Sequence, residues 1–350
     1  MDTPVRKIKV YSMQPDAIKP SAWVEYQDTL HAHLRDVVLP RLGLEVPQPD
    51  FESICLNKQQ SVFRYRERKT RTSVVGKFFG SRCPRTGSDP RRDLSREFRN
   101  LVTIRKRGLD KDPYRVVRPL SKNEKINCLL VEEFIRGHDL DYYIEKAACE
   151  GQNQRLMEKL EILADFLARL HSLPTESGDV DFSKISSYFR SIVETLARVG
   201  VIDSHMGKEF YRLCHYWEQN RAMRKERPVL VHGDATTTNF IFHREEGITA
   251  IDLELMRVTD RVYDIGFLTA EIKHHFAWRI IRAEAAEPFI RNFLWAYCQK
   301  LRNPESAFRE ITYRNRFFMS LGELRIARNR WLPWEHRKWL AEEALRCLQP

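Results

Sequence analysis

The feature that most constrains this sequence is the stretch VLVHGDATTTNFIFHREEGITAIDLE, which spans residues 229–254. The apolar segment VLV predicts a short strand that leads into His232, Gly233 and Asp234 at a turn. Asn239 follows five residues after Asp234, and Asp252 stands at the end of a second apolar segment. The pattern therefore places two carboxylates and one amide at strand ends and turns.

This set of side chains is typical of phosphoryl transfer. The reaction needs a carboxylate to accept or orient a hydroxyl group, and oxygen ligands to hold Mg²⁺ on the phosphates. The catalytic loop of protein kinases has the same five-residue offset between its catalytic Asp and its metal-binding Asn. The alternative interpretation is structural, with His232 in the core and with Asp234 and Asn239 capping a turn.

Segments that favour strands dominate residues 51–135. Runs rich in β-forming residues lie at 53–56, 61–67, 72–80 and 127–135. They predict a small antiparallel sheet, because the first two form an alternating hairpin pattern and the others are apolar. One helix is predicted from the cap at Asp89-Pro90 to a stop at Gly108.

Helices are predicted on both sides of this sheet-forming region. Before it, apolar residues at three- and four-residue spacing predict an amphipathic helix that ends near Pro40; they are Trp23, Tyr26, Leu30, Leu34, Val37 and Val38. After Gly137, helices are predicted for a leucine-rich segment around 156–170, for 183–199 and 204–224, and from about 264 onward. The predicted domains are a helical extension (1–50), a small lobe (51–135) with a hinge at about 131–136, and a helical lobe (137–350).

Four segments together resemble the aminoglycoside phosphotransferase/choline kinase superfamily: LADFLARLHSLP, HGDATTTN, IDLE and DRVYDIG. The resemblance covers roughly residues 53–300. It implies an α+β, two-lobed protein-kinase-like fold with a small antiparallel-sheet N-lobe, a larger helical C-lobe and ATP between them. By matched position, Asp234 would be the catalytic base or hydroxyl-orienting residue, and Asn239 and Asp252 would bind Mg²⁺. Asp264 would brace the catalytic segment.

The same resemblance predicts nucleotide-binding residues in the small lobe. Lys77, in the apolar run VVGKFFG, would meet the phosphates, and Glu97 on the following helix would pair with it because a buried charge needs a partner. Backbone groups of Glu132, Glu133 and Phe134 would bind the adenine edge. The alternative is a strand-edge lysine and a surface glutamate.

The phosphate-covering turn departs from the protein-kinase pattern. Its sequence, ICLNKQQSVFRYR, contains no glycine, and Asn57 and Ser61 are the residues expected to serve instead. Gly76, next to Lys77, is unusual because glycine weakens the interior of a strand.

Charge and cysteine content predict a cytoplasmic protein with an anionic or neutral acceptor. The net charge is +11, and residues 271–350 hold 15 Lys and Arg against 9 Asp and Glu. This balance favours a neutral sugar, a phosphorylated or acidic sugar or a lipid-linked glycan over a polycationic antibiotic. Seven cysteines without a CxxC pair indicate reduced thiols, and no signal peptide or membrane-spanning run is recognised.

The segment after Asp264 offers candidate acceptor contacts. Glu271, Lys273, His274 and His275 are the candidates, with a solvated helix face as the favoured alternative. The tail RIARNRWLPWEHRKWL is expected to pack its tryptophans against the lobe, and peripheral membrane contact is left open. No nucleic-acid partner is predicted.

The sequence therefore predicts an ATP- and Mg²⁺-dependent phosphotransferase that acts on a hydroxyl of a small molecule, such as a sugar. Two alternatives stay open. One is a kinase of a large acceptor, either an envelope glycan or a protein, and the other is a nucleotide-binding pseudokinase that serves as an interaction module.

Overall fold

The computed structural model describes residues 20–57, 59–81, 89–175, 178–243 and 246–350, with the backbone alone for 20–26. Trp23 and Tyr26 on the predicted first helix therefore lie outside the described side chains, and Cys83 lies outside the described residues. Contacts divide the chain into two compact units. Unit 1 contains the described residues up to Asp110 together with Val116–Arg136, and unit 2 contains Lys111–Arg115 together with Gly137–Pro350.

Unit 1 is built around a five-stranded antiparallel sheet. The elements up to residue 136, in chain order, are α1 (Pro20–His33), α2 (Leu39–Arg41), β1 (Phe51–Cys55), β2 (Val62–Glu67), β3 (Ser73–Phe78), α3 (Pro90–Lys106), β4 (Asp110–Lys111), β5 (Tyr114–Val116), β6 (Pro119–Asn123) and β7 (Leu129–Glu133). A π-helical turn, Leu34–Val38, joins α1 to α2, and a 3₁₀ turn, Phe79–Ser81, follows β3. The strand order is β1-β2-β3-β7-β6.

The amphipathic helix before residue 50 supplies part of the core of unit 1. Leu30, Leu34 and Val38 lie in one buried cluster with sheet residues that include Phe63 and Val131. Burying this apolar stripe against the sheet stabilises both elements. The segment predicted as an extension is therefore an integral layer of unit 1 from Leu30 onward.

Two local predictions in unit 1 are confirmed. Asp89 caps α3 by accepting a hydrogen bond from the Arg91 amide at 3.0 Å, with Pro90 at the first helical position. Gly108, with a φ of +103°, follows the end of that helix.

Gly76 has a packing reason to stand inside β3. A Cβ at this position would lie 2.9 Å from the Tyr65 ring and 3.2 Å from the Leu129 side chain. The glycine therefore lets the ring of the neighbouring strand cover the backbone beside Lys77.

Unit 2 is mostly helical. Its further elements are β8 (His138–Asp139), α4 (Leu140–Glu150), α5 (Asn153–Ser172), α6 (Phe182–Arg198), α7 (Ser204–Gln219), β9 (Val229–Val231), β10 (Phe240–His243), β11 (Gly247–Ala250), β12 (Arg257–Thr259), α8 (Val262–Ile280), α9 (Glu287–Cys298), α10 (Pro304–Ala327) and α11 (Trp334–Leu348). The remaining strands form two small sheets, with strand orders β4-β5-β11-β10-β8 and β12-β9. The predicted α+β class, with an antiparallel sheet first and helices after it, is confirmed.

Two helices of unit 2 approach each other through glycines. A Cβ at Gly266 in α8 would overlap Phe318 of α10, and a Cβ at Gly322 in α10 would lie 2.7 Å from the Ala270 Cβ. Because glycine has no side chain, the two backbones can come this close. This contact positions the end of α10 beside the start of α8.

The tryptophans of the carboxy-terminal segment differ from the packed arrangement that was predicted. Trp331 is 60% exposed and Trp334 is 46% exposed, so neither is a core residue. Trp339 is half-buried and stacks on His336 at a centroid distance of 5.4 Å. Of the helices in the described ranges, none has the length and apolarity to span a bilayer.

Candidate active site

The HGD turn follows β9, which pairs with β12 in antiparallel register. Gly233 adopts a φ of +79°, and a Cβ there would overlap the carbonyl oxygen of Leu255. Only glycine fits a left-handed position this close to another backbone. The turn therefore carries Asp234 away from the strand in a fixed direction.

Asp264 fixes the backbone of this turn. Its carboxylate accepts hydrogen bonds from the backbone amides of His232 and Gly233 at 2.7 and 2.9 Å, and from His171 Nε2 at 3.1 Å. Burial raises the pKa of Asp264, but the hydrogen bond and charge of His171 outweigh it, so the pKa lies below its ordinary value. The predicted bracing role of Asp264 is confirmed.

His232 is fully buried and structural. Its Nε2 donates to the carbonyl oxygen of Ile251 at 3.0 Å, and its Nδ1 accepts from the Asp234 amide at 3.3 Å. The structural interpretation of the motif is thus right for His232. It links the HGD turn to the residue that precedes Asp252.

Asn239 lies beside Asp234, as the five-residue spacing predicts. Its Nδ2 donates to the Asp234 backbone oxygen at 2.8 Å and lies 3.5 Å from Asp234 Oδ2. Because the amide nitrogen is used inside the loop, the orientation of the side chain is fixed and Oδ1 is left as the acceptor. This oxygen is the atom that a cation would use.

Asp252 follows β11 in a strained backbone conformation. Its φ of 63° and ψ of 60° place it in the left-handed region, which is uncommon for a residue other than glycine. The Ile251 amide donates to the Asn239 carbonyl oxygen at 3.0 Å, so the two predicted metal ligands belong to adjacent, hydrogen-bonded segments. Strain of this kind concentrates at functional sites.

Lys77 in unit 1 has the predicted partner. Its Nζ lies 2.7 Å from Glu97 Oε1, and both side chains are buried. A second carboxylate, Glu132 Oε2, lies 3.3 Å from the same nitrogen. The interpretation as a strand-edge lysine with a surface glutamate is therefore wrong, and the side chain of Glu132 is a neighbour that the sequence did not suggest.

The segment predicted to bind adenine is partly engaged within unit 1. The Glu133 amide donates to the Arg118 carbonyl oxygen at 3.0 Å, and Glu133 Oε1 accepts from the Arg118 amide at 2.8 Å. The guanidinium of Arg64 lies 4.3 Å from the centre of the Phe134 ring. Adenine contacts stay a prediction for the other backbone groups of Glu132, Glu133 and Phe134.

Asn57 organises the turn that lacks glycine. Its Oδ1 accepts from the amides of Ser61 and Val62 at 2.9 and 3.1 Å, and its Nδ2 donates to Ser61 Oγ at 2.9 Å. Asn57 and Ser61 are the two residues expected to serve in place of glycine at this turn. Side-chain hydrogen bonds of this type stabilise turns in the way that a cap stabilises a helix end.

Most of this chain matches a known protein family. The family model described as "Phosphotransferase enzyme family" matches residues 61–308, well over half of the chain. The chain belongs to this family. No curated protein matches the sequence.

Several solved kinases share the fold of this phosphotransferase. The ethanolamine kinase of Plasmodium vivax has a TM-score of 0.62 at 14% identity, covering 94% of this chain and 90% of its own. The choline kinase of Cryptosporidium parvum has a TM-score of 0.61 at 13% identity, covering 92% and 95%. The complex of APH(2″)-IIa with streptomycin and ATP has a TM-score of 0.54 at 15% identity, covering 96% and 97%. The predicted superfamily and its kinase-like fold are confirmed.

Arg325 is a site residue of the phosphotransferase that sequence reasoning missed. Its guanidinium on α10 forms an ion pair with Asp234 Oδ1, 91 residues away along the chain. Burial alone would lower the pKa of Arg325, but the charge of Asp234 raises it above its ordinary value. The available signal was the basic segment RIARNR, which suggested a surface and not an active-site contact.

The four candidate acceptor contacts on α8 lie in two different environments. His275 Nε2 lies 3.0 Å from Thr237 Oγ1, between Asp234 and Asn239 in the chain, and Glu271 lies 3.4 Å from His275. Lys273 instead pairs with Glu343, and His274 is buried against His336. The solvated-face interpretation is therefore wrong for all of these side chains, since none of the four is exposed.

Proposed function

We propose that this phosphotransferase transfers the γ-phosphoryl group of ATP, with Mg²⁺, to a hydroxyl of a small molecule such as a sugar. The observation that carries the proposal is the fixed arrangement of Asp234 and Asn239 on a turn that Asp264 braces. Such positioning is what phosphoryl transfer requires of a protein, because little covalent chemistry is left for side chains.

The donor atoms of unit 2 fit a hard divalent cation. Asn239 presents an amide oxygen, because its nitrogen is held by Asp234, and Asp252 adds a carboxylate. Both are oxygen donors of the kind that Mg²⁺ prefers. Bound Mg²⁺ would neutralise charge on the phosphate oxygens.

Asp234 would orient the acceptor hydroxyl and take its proton. Arg325 pairs with Oδ1, which leaves Oδ2, on the side facing Asn239, for the hydroxyl. A proton acceptor must lie within hydrogen-bonding reach of the group it serves, and the ion pair fixes where this carboxylate can reach.

Lys77 would bind the nucleotide phosphates in unit 1. Glu97 and Glu132 flank its ammonium group, so the charge is held in one position within a buried environment. An ammonium group held in this way could donate hydrogen bonds to phosphate oxygens.

A large acceptor is the second candidate. Trp331 and Trp334 are exposed in a segment that also carries exposed Arg330 and Lys338, and such a surface suits a macromolecule or a glycan. The pseudokinase alternative rested on the missing glycines, and the Asn57 hydrogen bonds offer a different way to order that turn.

Replacing Asp234 by Asn tests the proposed function. We expect Asp234→Asn to lower turnover by about 100-fold or more, since a positioned general base contributes roughly 10²–10⁴-fold, while ATP binding persists. The measurement is ADP release with Mg-ATP against neutral sugars, acidic or phosphorylated sugars, amino alcohols and aminoglycosides. Calorimetry reports nucleotide binding by the same samples.

Asp179→Asn is the matched control, because Asp179 is exposed and remote in sequence from the motif. It should keep wild-type turnover. Turnover that survives in Asp234→Asn would show that the base is misassigned. Absence of ATP binding in the wild-type protein would refute the function itself.

A further inference from the structure

Two arginines flank the HGD turn of unit 2. Arg325 pairs with Asp234, and these side chains keep 22% and 15% of their surface accessible. Arg257 approaches the turn from β12, where its Nε would lie 3.4 Å from a Cβ placed on Gly233. Two permanent positive charges therefore lie against the turn that carries the proposed catalytic carboxylate.

Aromatic rings hold both guanidinium groups in place. Arg257 lies 4.9 Å from the centre of the Tyr263 ring, and Arg325 lies 4.8 Å from the centre of the Phe267 ring. The two rings are buried and contact each other at a centroid distance of 4.5 Å. This continuous stack orients the arginines without using up their hydrogen-bond donors.

Much of the donor capacity of these arginines is unused. Among the residues that the structure describes, Arg257 donates only from Nε, to the Leu255 carbonyl oxygen at 3.2 Å. Arg325 donates only from Nη2, to Asp234. Since a guanidinium has five N–H donors, a further anion can be accommodated by each.

A third arginine extends the positive region. Arg328, which follows the last residue of α10, donates to Tyr188 Oη at 3.2 Å, and its buried Nε has no partner within the described ranges. The charge of Glu271, which lies against His275, also raises the pKa of Arg325.

We propose that Arg257 and Arg325 form an anion-binding subsite beside Asp234, and that the acceptor carries a phosphate or carboxylate group. This inference rests on the proposed function and specifies its substrate class. Guanidinium groups bind both anions through paired hydrogen bonds, so the subsite would place the acceptor's hydroxyl group next to Asp234 Oδ2. A polycationic acceptor would meet repulsion at the same place.

Matched acceptor pairs test the subsite. Glucose is compared with glucose 6-phosphate and with glucuronate, and the same comparison is made for other hexoses. We expect the wild-type protein to favour the anionic member of a pair in kcat/KM. Arg257→Gln should raise KM for that member roughly 10-fold or more and leave the neutral member unchanged, because a charged hydrogen bond contributes about 1.5–3 kcal/mol.

Arg302→Gln is the control for loss of a positive charge, since Arg302 is exposed in the connection between α9 and α10. It should keep the wild-type preference. Equal losses for both members of a pair in Arg257→Gln would show that this arginine acts on the transferred phosphoryl group, and would overturn the proposal. An unchanged preference in Arg257→Gln would overturn it as well.

Anion binding can be measured without turnover. The ³¹P line width of inorganic phosphate is followed with ADP and Mg²⁺ present, so that the nucleotide groups are occupied. We expect the protein to broaden this line and the Arg257→Gln/Arg325→Lys variant to lose the broadening, with an unchanged circular dichroism spectrum. Broadening that persists in the double variant contradicts the subsite, whereas failure of ADP release alone contradicts only the proposed function.

Discussion

A single buried carboxylate, Asp264, sets the conformation of the HGD turn. It joins three segments that are distant in sequence, because it accepts from two consecutive backbone amides and from His171, whose Nδ1 lies 2.8 Å from Tyr297 Oη. Each of these donors would otherwise be buried without a partner, which costs about 1–3 kcal/mol per group. The position of Asp234 therefore depends on a residue that never needs to contact a substrate.

We expect Asp264→Asn to lower the free energy of unfolding by about 2–4 kcal/mol at neutral pH. Asparagine keeps one acceptor oxygen, but its NH₂ group would face an amide donor, and the charge that His171 stabilises would be lost. Urea denaturation followed by circular dichroism measures the change, with Asp179→Asn as the control.

The pH dependence of this difference follows from the lowered pKa of Asp264. A carboxyl whose pKa is lower in the folded state stabilises the protein above its unfolded-state pKa of about 4. That contribution is lost as the pH falls through the folded-state pKa, so wild type and variant should converge in acid. A difference that is independent of pH would contradict the assigned charge.

At the scale of elements, the contact between α8 and α10 places Arg325. Gly266 and Gly322 allow the two helices to pack backbone against backbone. Arg325 follows Gly322 by three residues and therefore lies near the same face of α10. The spacing of the two helices decides whether its guanidinium reaches Asp234.

We expect Gly266→Ala to destabilise the protein by about 1–3 kcal/mol, since the new methyl group would overlap Phe318 and the helices would have to separate. It should also lower turnover by displacing Arg325. Thermal unfolding and ADP release measure the two effects.

Gly207→Ala is the matched control within α7. A Cβ there would lie 3.9 Å from its nearest neighbour, Ile202, which is an ordinary contact. This substitution should be neutral or stabilise by up to about 1 kcal/mol, because alanine favours the helix. Equal effects of the two substitutions would show that the close approach of α8 and α10 is not what limits stability.

At the scale of the whole molecule, buried histidines make stability sensitive to acid. Burial, reinforced by the positive charge of Arg279, lowers the pKa of His274 to about 2. His336, whose Nε2 lies 2.9 Å from His274 Nδ1, also has a lowered pKa because of burial. Both side chains are therefore uncharged in the folded protein over the neutral range.

We expect the free energy of unfolding to fall as the pH drops below about 6.5. The unfolded chain binds a proton at His274 there and the folded chain does not, so each pH unit costs up to about 1.4 kcal/mol. His274→Gln should reduce this slope by up to about 1.4 kcal/mol per pH unit, which is the contribution of one proton. Urea titrations between neutral pH and pH 5 measure it, and exposed His205→Gln should leave the slope unchanged.

Local sequence patterns predicted much of the candidate site because its residues lie close to one another along the chain. Asp234, Asn239 and Asp252 lie within one hairpin-like stretch, so sequence spacing translates directly into spatial proximity. The Lys77–Glu97 pair was predictable because a buried lysine requires a carboxylate and the next helix offers one. The caps of α3 follow from local backbone preferences alone.

The features that escaped prediction depend on tertiary contacts. Nothing in a basic segment indicates that Arg325 meets Asp234, because the partner is chosen by the packing of α10 on α8. The strand β6, PLSKN, was missed because it is polar and begins with proline, a residue that edge strands tolerate. Trp331 and Trp334 have the spacing of a packed stripe but are 60% and 46% exposed, because burial depends on where the segment lies in the fold and not on spacing alone.

Asn57 has a thermodynamic consequence for the turn between β1 and β2. A glycine-rich turn samples many conformations and must give them up when a bound molecule orders it. Here the hydrogen bonds that the Ser61 and Val62 amides donate to Asn57 restrict the turn. Its conformational entropy is therefore lost when the chain folds, so a molecule that bound there would not have to order the turn.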